Sequence, residues 1–497
     1  MPFYMNFPFF SIMLAMFCAI ITAVLHHKIA KWITVFLCSA VFFLSAYQFV
    51  VLYPMGESFA YMMGHFPSPF GNEIRGGLLE SLLAGVFSLV MLLSVLGGMK
   101  KLKEHVDSNK QSLVYVMLDL VLAATLAILY TNDLFTAYVF IEILTISACA
   151  LIMCRQNGHT LVSAMRYMIL SLLGSGMILI SIAITYNITG HLLMEPIHDA
   201  MLALYQSGSY EVALTVIIGL FFVGLAIKSA LFPFHNWLPD AYGFATPTTG
   251  AVLSSIVSKA YIILLIKIYY RVIGINPLHH SQALQLLFVF GVAGMIIGSI
   301  SAINARDLRR MVAFSSVAQI GYIYAGIGMG TDLGLIAALY HLIMHSVAKS
   351  GLFIAASALA DSSGDSKRFS DLRGAGYRNK TAGVLFTICA LSMVGVPILG
   401  GFISKLNFSE AAFEHGGITM WVMLIALAVS TLLNVLYFVK TVVTIYRKPR
   451  EGFVAPPKYH APLRKIAMWG FIVLNLLIAI LALPLMTAIT NGLHHFG

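Results

Sequence analysis

The chain has 497 residues, of which 59% are hydrophobic and only 10% charged, with a formal net charge of +10. Soluble domains carry about 25% charged residues, so this composition excludes an ordinary soluble enzyme and points to an all-α polytopic membrane protein. The distribution of the basic excess over short loops between apolar spans is that of a membrane protein, and no nucleic-acid partner is expected.

Fourteen apolar spans follow in chain order, near 4–24, 31–53, 77–98, 112–130, 133–153, 163–187, 212–232, 247–270, 282–303, 308–328, 332–358, 382–404, 417–445 and 466–490. Each is long enough to cross a hydrocarbon core as a helix. Period-2 alternation is missing, which excludes barrel strands. The first span has no basic segment before it and no small-residue cleavage site after it, so it reads as a retained helix. Cys18, Cys38, Cys149, Cys154 and Cys389 all lie in apolar runs without a CxxC pair. They read as packed core residues, and neither metal nor iron–sulfur ligation is expected. A GxxxxGK[ST] loop is also missing, so nucleotide hydrolysis is not expected. No catalytic chemistry and no cofactor are expected within this chain.

The odd-numbered loops carry 22 of the 30 Lys and Arg residues, the last of these loops including Arg447, Lys448, Arg450, Lys458, Arg464 and Lys465. The even-numbered loops carry only Arg75 and Arg271. The positive-inside rule then makes the odd loops cytoplasmic and leaves both termini on the extracytoplasmic side of the cell membrane.

Inside the spans, acids are few: Glu80, Asp119, Asp133 and Glu142. The six intramembrane cations are all lysines: Lys228, Lys259, Lys267, Lys349, Lys405 and Lys440. A charge near the bilayer centre costs about 2.5–3.5 kcal/mol on insertion scales. Arginine keeps its proton in a protein, whereas a desolvated lysine can release one. Lys267 sits near the end of its span and reads as a snorkelling side chain. Glu142 lies in mid-span and needs a cationic partner, for which Lys228 is the candidate. A Glu–Lys pair that opens and closes would take up and release a proton; a static ion pair is the plainer alternative.

His341, His345 and Lys349 recur at i, i+4 and i+8, roughly on one helical face. Such a stripe can relay protons through water. Hydrogen-bonded core histidines and a metal pair lacking a third ligand are the alternatives.

Pro233, Pro239 and Pro247 follow Lys228, and Gly395, Pro397, Gly400 and Gly401 precede Lys405. These residues predict interrupted helices 7 and 12. Lys228 and Lys405 are 177 residues apart, and Lys259 and Lys440 are 181 apart. Nearly equal offsets predict two inverted five-helix repeats. The expected organisation is 1–110 for helices 1–3, 111–275 and 276–446 for the two repeats, and 447–497 for helix 14. Gln319 stands near the position that would match Glu142.

The stretch KSALFPFHNWLPDAYGFATPTTGAVLSSIVSK, from Lys228 to Lys259, resembles the signature of the antiporter-like proton-translocating subunits. These subunits occur in respiratory complex I (L, M and N types), in Mrp antiporters (D type) and in membrane-bound hydrogenases. DLRRMVAFSSVAQIGY (307–322), HLIMHSVAKSGLF (341–353) and GFISK ending at Lys405 extend the resemblance across the chain. It implies a proton pathway through Glu142, Lys228, His235, Lys259, His341, His345, Lys349, Lys405 and Lys440. Partners implied are other membrane subunits of one complex, the lipid bilayer, protons and, in an antiporter, Na⁺. Lysine at 405 is similar to the Mrp D-type and complex I N-type subunits. The leading expectation is an Mrp D-like subunit of a cation/proton antiporter. A redox-driven proton-pumping subunit is the alternative, and a stand-alone solute transporter or a membrane enzyme is more remote.

Overall fold

The computed structural model describes residues 2–63, 66, 72–274, 277, 278, 281–449, 453 and 461–494. Arg450 and Lys458, part of the basic loop before the last span, lie outside the described residues. Helix follows from the solvent: hydrocarbon offers no partner for an exposed N–H or C=O, so each span must satisfy its own backbone.

The first six helices are α1 (Phe7–Val24), α2 (His27–Met55), α3 (Leu78–His105), α4 (Gln111–Tyr130), α5 (Leu134–Met153) and α6 (Gly158–Thr189). A short antiparallel hairpin, β1 (Phe59–Met62) and β2 (Glu73–Gly76), joins α2 to α3 with Phe59 opposite Gly76. Next come α7 (Met194–Gln206), α8 (Glu211–Ser229), α9 (Leu238–Phe244) and the long α10 (Pro247–Ile273), which contains two π-helical turns. The second half holds α11 (Ala283–Ile303), α12 (Leu308–Gly328), α13 (Asp332–Asp361), α14 (Lys380–Val394), α15 (Gly400–His415) and α16 (Gly417–Ile445). The chain closes with α17 (Pro462–Ile480) and α18 (Ala482–His494).

Among the described residues thirteen helices are long and apolar enough to cross a membrane, and they coincide with thirteen of the fourteen expected spans. The remaining one, 382–404, is two shorter helices. α14 stops at Gly395, whose φ is +89°, and α15 starts at Gly400. The final span is also shorter than expected: α17 ends at Ile480, and Pro484, which lacks a backbone donor, sits in the first turn of the separate α18. A further difference is α7, placed where the sequence suggested only a loop. It is amphipathic, burying Met194, Ile197 and Met201 on one face.

Burial sorts the helices. The apolar stretches of α10 and α13 are buried throughout, and that of α12 almost throughout. In contrast, α1, α2, α6, α16 and α17 present large apolar side chains outward, such as Phe43, Ile169, Leu432 and Trp469. With no hydrophobic drive between helices in lipid, close backbone approach carries much of the packing. Gly174 of α6 and Gly224 of α8 meet in this way: a Cβ on either would lie 2.8 Å from the other's carbonyl oxygen.

Candidate functional site

The site grows from helix interruptions. Helix α8 ends one residue after Lys228, at Ser229, and the capping residue Ala230 takes a left-handed φ of +63°. Pro233 follows, and the chain resumes as α9 only at Leu238. Lys228 is fully buried at this break. Its ammonium donates to Thr145 Oγ1 of α5 at 2.8 Å. The Glu142 carboxylate lies 4.0 Å away, beyond hydrogen-bond range. Glu142 is also a quarter exposed, unlike its partner. Thr145 Oγ1 is 3.2 Å from the Tyr261 hydroxyl, and the lysine lies 5.4 Å from the Tyr261 ring centroid. Thr145 was not anticipated from sequence. Its spacing of three from Glu142 puts it on the same face of α5, and that was the one signal able to reveal it.

His235 lies in the turn after α8, buried, with its ring 5.5 Å from Phe232 and its Nδ1 without a partner among the described residues.

Lys259 occupies α10 just after the π-helical turn Leu253–Val257. A π turn displaces the regular i→i−4 ladder. The Lys259 ammonium, fully buried, donates to the Ser254 carbonyl within that turn and to Ser258 Oγ at 3.3 Å.

Helix α13 supplies the histidines. Ser350 Oγ of α13 donates to the Ala251 carbonyl of α10 at 3.2 Å, fixing the two helices side by side. His341 Nδ1 pairs with Ser404 Oγ of α15 at 2.7 Å, while its Nε2 has no partner among the described residues. Neither ring nitrogen of His345 has one either. The two rings lie nearly parallel, 5.9 Å between centroids, and the Tyr322 ring stacks on His341 at 5.4 Å. His345 and Lys349 lie one turn apart on the same face of α13. Lys349 itself donates to Ser315 Oγ and, at 3.0 Å, to the Val312 carbonyl of α12.

Lys405 lies on α15, just past the second interruption. Its ammonium donates to the Val394 carbonyl at the end of α14, at 2.5 Å, and to Thr431 Oγ1 of α16, at 2.7 Å. It also lies 5.8 Å from the Tyr322 ring centroid. Tyr322 thus touches both Lys405 and His341. Gln319, one turn before it, is fully buried, and neither of its amide atoms has a partner among the described residues.

Buried polar groups are normally hydrogen-bonded to protein or to ordered water. Among the described residues, buried groups without a partner are scattered through the bundle, such as Thr34, Gln48 and Thr125, but five lie along the lysine and histidine row: Glu142, His341, His345, Gln319 and Tyr322. Such groups suit a water-connected row.

Lys440 is not drawn into this set. Its side chain is exposed on α16, and only its carbonyl is engaged, by Thr444 Oγ1. Lys267 departs from the snorkelling expectation. It is fully buried and donates to the carbonyls of Ile128, Leu129 and Thr131 at 3.2, 2.6 and 2.6 Å. It caps the C-terminus of α4, where carbonyls and dipole both favour a cation. Each of the other acids expected in the spans has a partner. Glu80 pairs with Arg271 at 2.8 Å, Asp119 accepts from Thr22 Oγ1 at 3.0 Å, and Asp133 caps α5 through the Thr136 amide at 2.6 Å.

A family model described as NADH:quinone oxidoreductase/Mrp antiporter, TM, matches residues 131–432. NADH-quinone oxidoreductase subunit N of Desulforudis audaxviator is 34% identical over 402 residues, covering 80% of this chain and 77% of the relative. The D-type subunit of the Na(+)/H(+) antiporter of Alkalihalophilus pseudofirmus is 25% identical over 414 residues, covering 83% and 81%. Among solved structures, the membrane-bound sulfane sulfur reductase, an archaeal respiratory membrane complex, aligns with a TM-score of 0.86 at 24% identity, over 99% of this chain and 97% of that one. The Mrp complex from Dietzia sp. aligns at 0.84 and 21%, over 100% and 98%. At these identities the two structures speak to the fold.

Proposed function

The chain belongs to the NADH:quinone oxidoreductase/Mrp antiporter transmembrane family, and from that premise we propose that its buried lysine and histidine row carries protons along the plane of the membrane. It is an antiporter-like membrane subunit of a multisubunit complex. The observation that carries the proton reading is the placement of Lys228, Lys259, Lys349, His341 and His345, all buried, on three helices at the centre of the bundle.

The mechanism follows from the geometry. Glu142 and Lys228 form the entry pair: a proton is held on the lysine when the carboxylate closes on it and is passed inward when the pair opens. Lys259 and His345 take it next, and His341, Tyr322 and Lys405 lead it toward α15 and α16. Neutral histidine both accepts and donates, so orphan ring nitrogens suit transfer through intervening water. The interruption before Lys405 exposes the Val394 carbonyl, which stabilises the cation without fixing it by a carboxylate. The same features support two inverted five-helix repeats, 111–275 and 276–446, with the breaks at corresponding helices. The loop asymmetry of Lys and Arg supports an orientation with both termini outside the cytoplasm.

Two driving forces fit. Greater identity to N-type subunits favours a redox-driven pump, and the D-type antiporter relative keeps cation/proton exchange beside it. Sodium dependence of proton movement by the intact complex separates them: a gradient made by NADH or another reductant without Na⁺ supports the first, and proton movement driven by a Na⁺ gradient supports the second.

The test of the proton path uses the intact complex in sealed vesicles with a pH-sensitive dye. Lys228→Ala and Glu142→Ala are expected to assemble and to lose proton movement. Transport retained by both would mean that the pair is a structural feature.

A further inference from the structure

A second constellation lies far from the proton row, at the membrane face where α2 and α4 begin and α3 ends. A cavity of about 370 Å³ opens there between α2, α3, α4 and the start of α17. Its lining holds six basic side chains and no acid: His27, Lys28 and Lys31 of α2, Lys100 and Lys103 of α3, and Arg464 of α17. Among the described residues Lys28, Lys31 and Lys103 form no ion pair, and Lys28 and Lys103 are exposed. Like charges gathered this densely repel one another unless an anion sits among them.

The remaining walls are mostly apolar, built by Leu96, Met99 and Leu463, with Gln111 and Tyr115 of α4 beside them. Just outside, α2 presents Ile29, Trp32 and Phe36 to the surroundings, each 47–61% exposed. Trp32 marks the interface level, as tryptophans do in membrane proteins. Its ring lies 5.5 Å from the Lys31 ammonium. A basic chamber at the headgroup level that continues into an apolar helix surface has the two-part chemistry of an acidic phospholipid. A free phosphate would use only the first part.

We infer that the cavity between α2, α3, α4 and α17 is a binding site for an anionic phospholipid, its phosphate held by Lys28, Lys31 and Lys103 and its acyl chains laid along α2. The seat also touches the proton machinery at one remove. Arg464 donates to Asp361 Oδ2 at 2.6 Å, and Asp361 is the last residue of α13, which carries His341, His345 and Lys349. A lipid there holds α2, α3 and α17 together against that helix.

The test uses the intact purified complex and a photoactivatable phosphatidylglycerol, with crosslinks mapped by peptide mass spectrometry. Crosslinks are expected on residues 27–31 and 96–103, with phosphatidylcholine failing to compete and unlabelled phosphatidylglycerol competing. Each interfacial lysine contributes about fivefold to anionic-lipid affinity. Lys28→Ala, Lys31→Ala and Lys103→Ala together should therefore weaken binding on the order of 100-fold. Lys380→Ala, a basic change outside the cavity, should leave it unchanged. All three lysines lie at the helix surface, so assembly is checked by gel filtration and expected to persist. Three outcomes would overturn the site: crosslinking unaffected in the triple variant, equal competition by phosphatidylcholine, or displacement of the lipid by micromolar inorganic phosphate, which would make it a free-phosphate site.

Discussion

The ammonium of Lys228 is held by the hydroxyl of Thr145, at 2.8 Å, rather than by the carboxylate of Glu142, at 4.0 Å. The attraction between the two charges remains: at this separation it is about 4 kcal/mol for an effective dielectric of 20. Yet the ion pair is open, and a neutral group keeps the lysine in place while it waits. Losing a hydrogen bond to a buried charged group costs about 1.5–3 kcal/mol. Thr145→Val is therefore expected to lower proton movement roughly tenfold or more, with the complex still assembled. Thr145→Ser should restore it. Dye quenching in sealed vesicles checks both, and a Val variant that pumps like wild type would mean that Thr145 does not position the lysine.

A second buried pair shows what a closed one looks like. Glu80 and Arg271 meet at 2.8 Å with both side chains almost fully buried. Removing one partner strands the other, which costs about 3–5 kcal/mol. Arg271→Met should sharply reduce the amount of assembled complex. Glu80→Gln combined with Arg271→Met should recover most of it, since no charge is then left uncompensated. Quantifying the assembled complex on native gels measures both, and equal loss in single and double variants would count against the pairing argument.

On the loop after α13, burial first, and then the nearby Arg309 and Arg155 charges, lower the Lys367 ammonium to about 7. Its folded-state value is depressed below the unfolded one, so the charged form is disfavoured by folding. The protonated group opposes the fold at low pH, and the penalty lifts as pH rises above about 7. The neutral amine is the reactive one. Acylation of Lys367 should therefore be half-maximal near neutral pH, well below the range of an ordinary lysine side chain. Site-resolved labelling from pH 6 to pH 9 tests this, and a rate at Lys367 that still climbs about tenfold per pH unit up to pH 9 would refute it.

Much of the row was legible because membranes make charge costly. A lysine that persists in an apolar run must be neutral, paired or hydrogen-bonded, and this singled out Lys228, Lys259, Lys349 and Lys405. Their partners were less legible. Lys259 finds a carbonyl through a π turn, which no residue pattern announces, and Lys267 finds three carbonyls at the C-terminal end of α4, more than a hundred residues earlier in sequence. Nearness to a span end was the only sequence signal at Lys267, and it suggested snorkelling. Helix α7 escaped notice because thirteen residues cannot span a bilayer, and a short amphipathic segment between two spans reads as a loop. Lys440 illustrates the reverse: its offset from Lys259 matched the repeat, but its exposure depends on which face α16 turns to the bundle.

Gly395 joins backbone and site in a single residue. It ends α14 with a φ of +89°, a conformation that side-chain-bearing residues avoid at a cost of about 1–2 kcal/mol. A Cβ there would also lie 2.9 Å from Lys405 Cδ and 3.2 Å from its ammonium. The lysine reaches the Val394 carbonyl only because this position is bare. Gly395→Ala is expected to lower the thermal stability of the complex and, by pushing Lys405 off Val394, to cut proton movement several-fold more than stability alone explains. Gly176→Ala on α6, where a Cβ meets nothing within 4 Å, is the comparison and should change neither. Loss of stability with full transport by the remaining folded complex would show that the close approach to Lys405 is incidental.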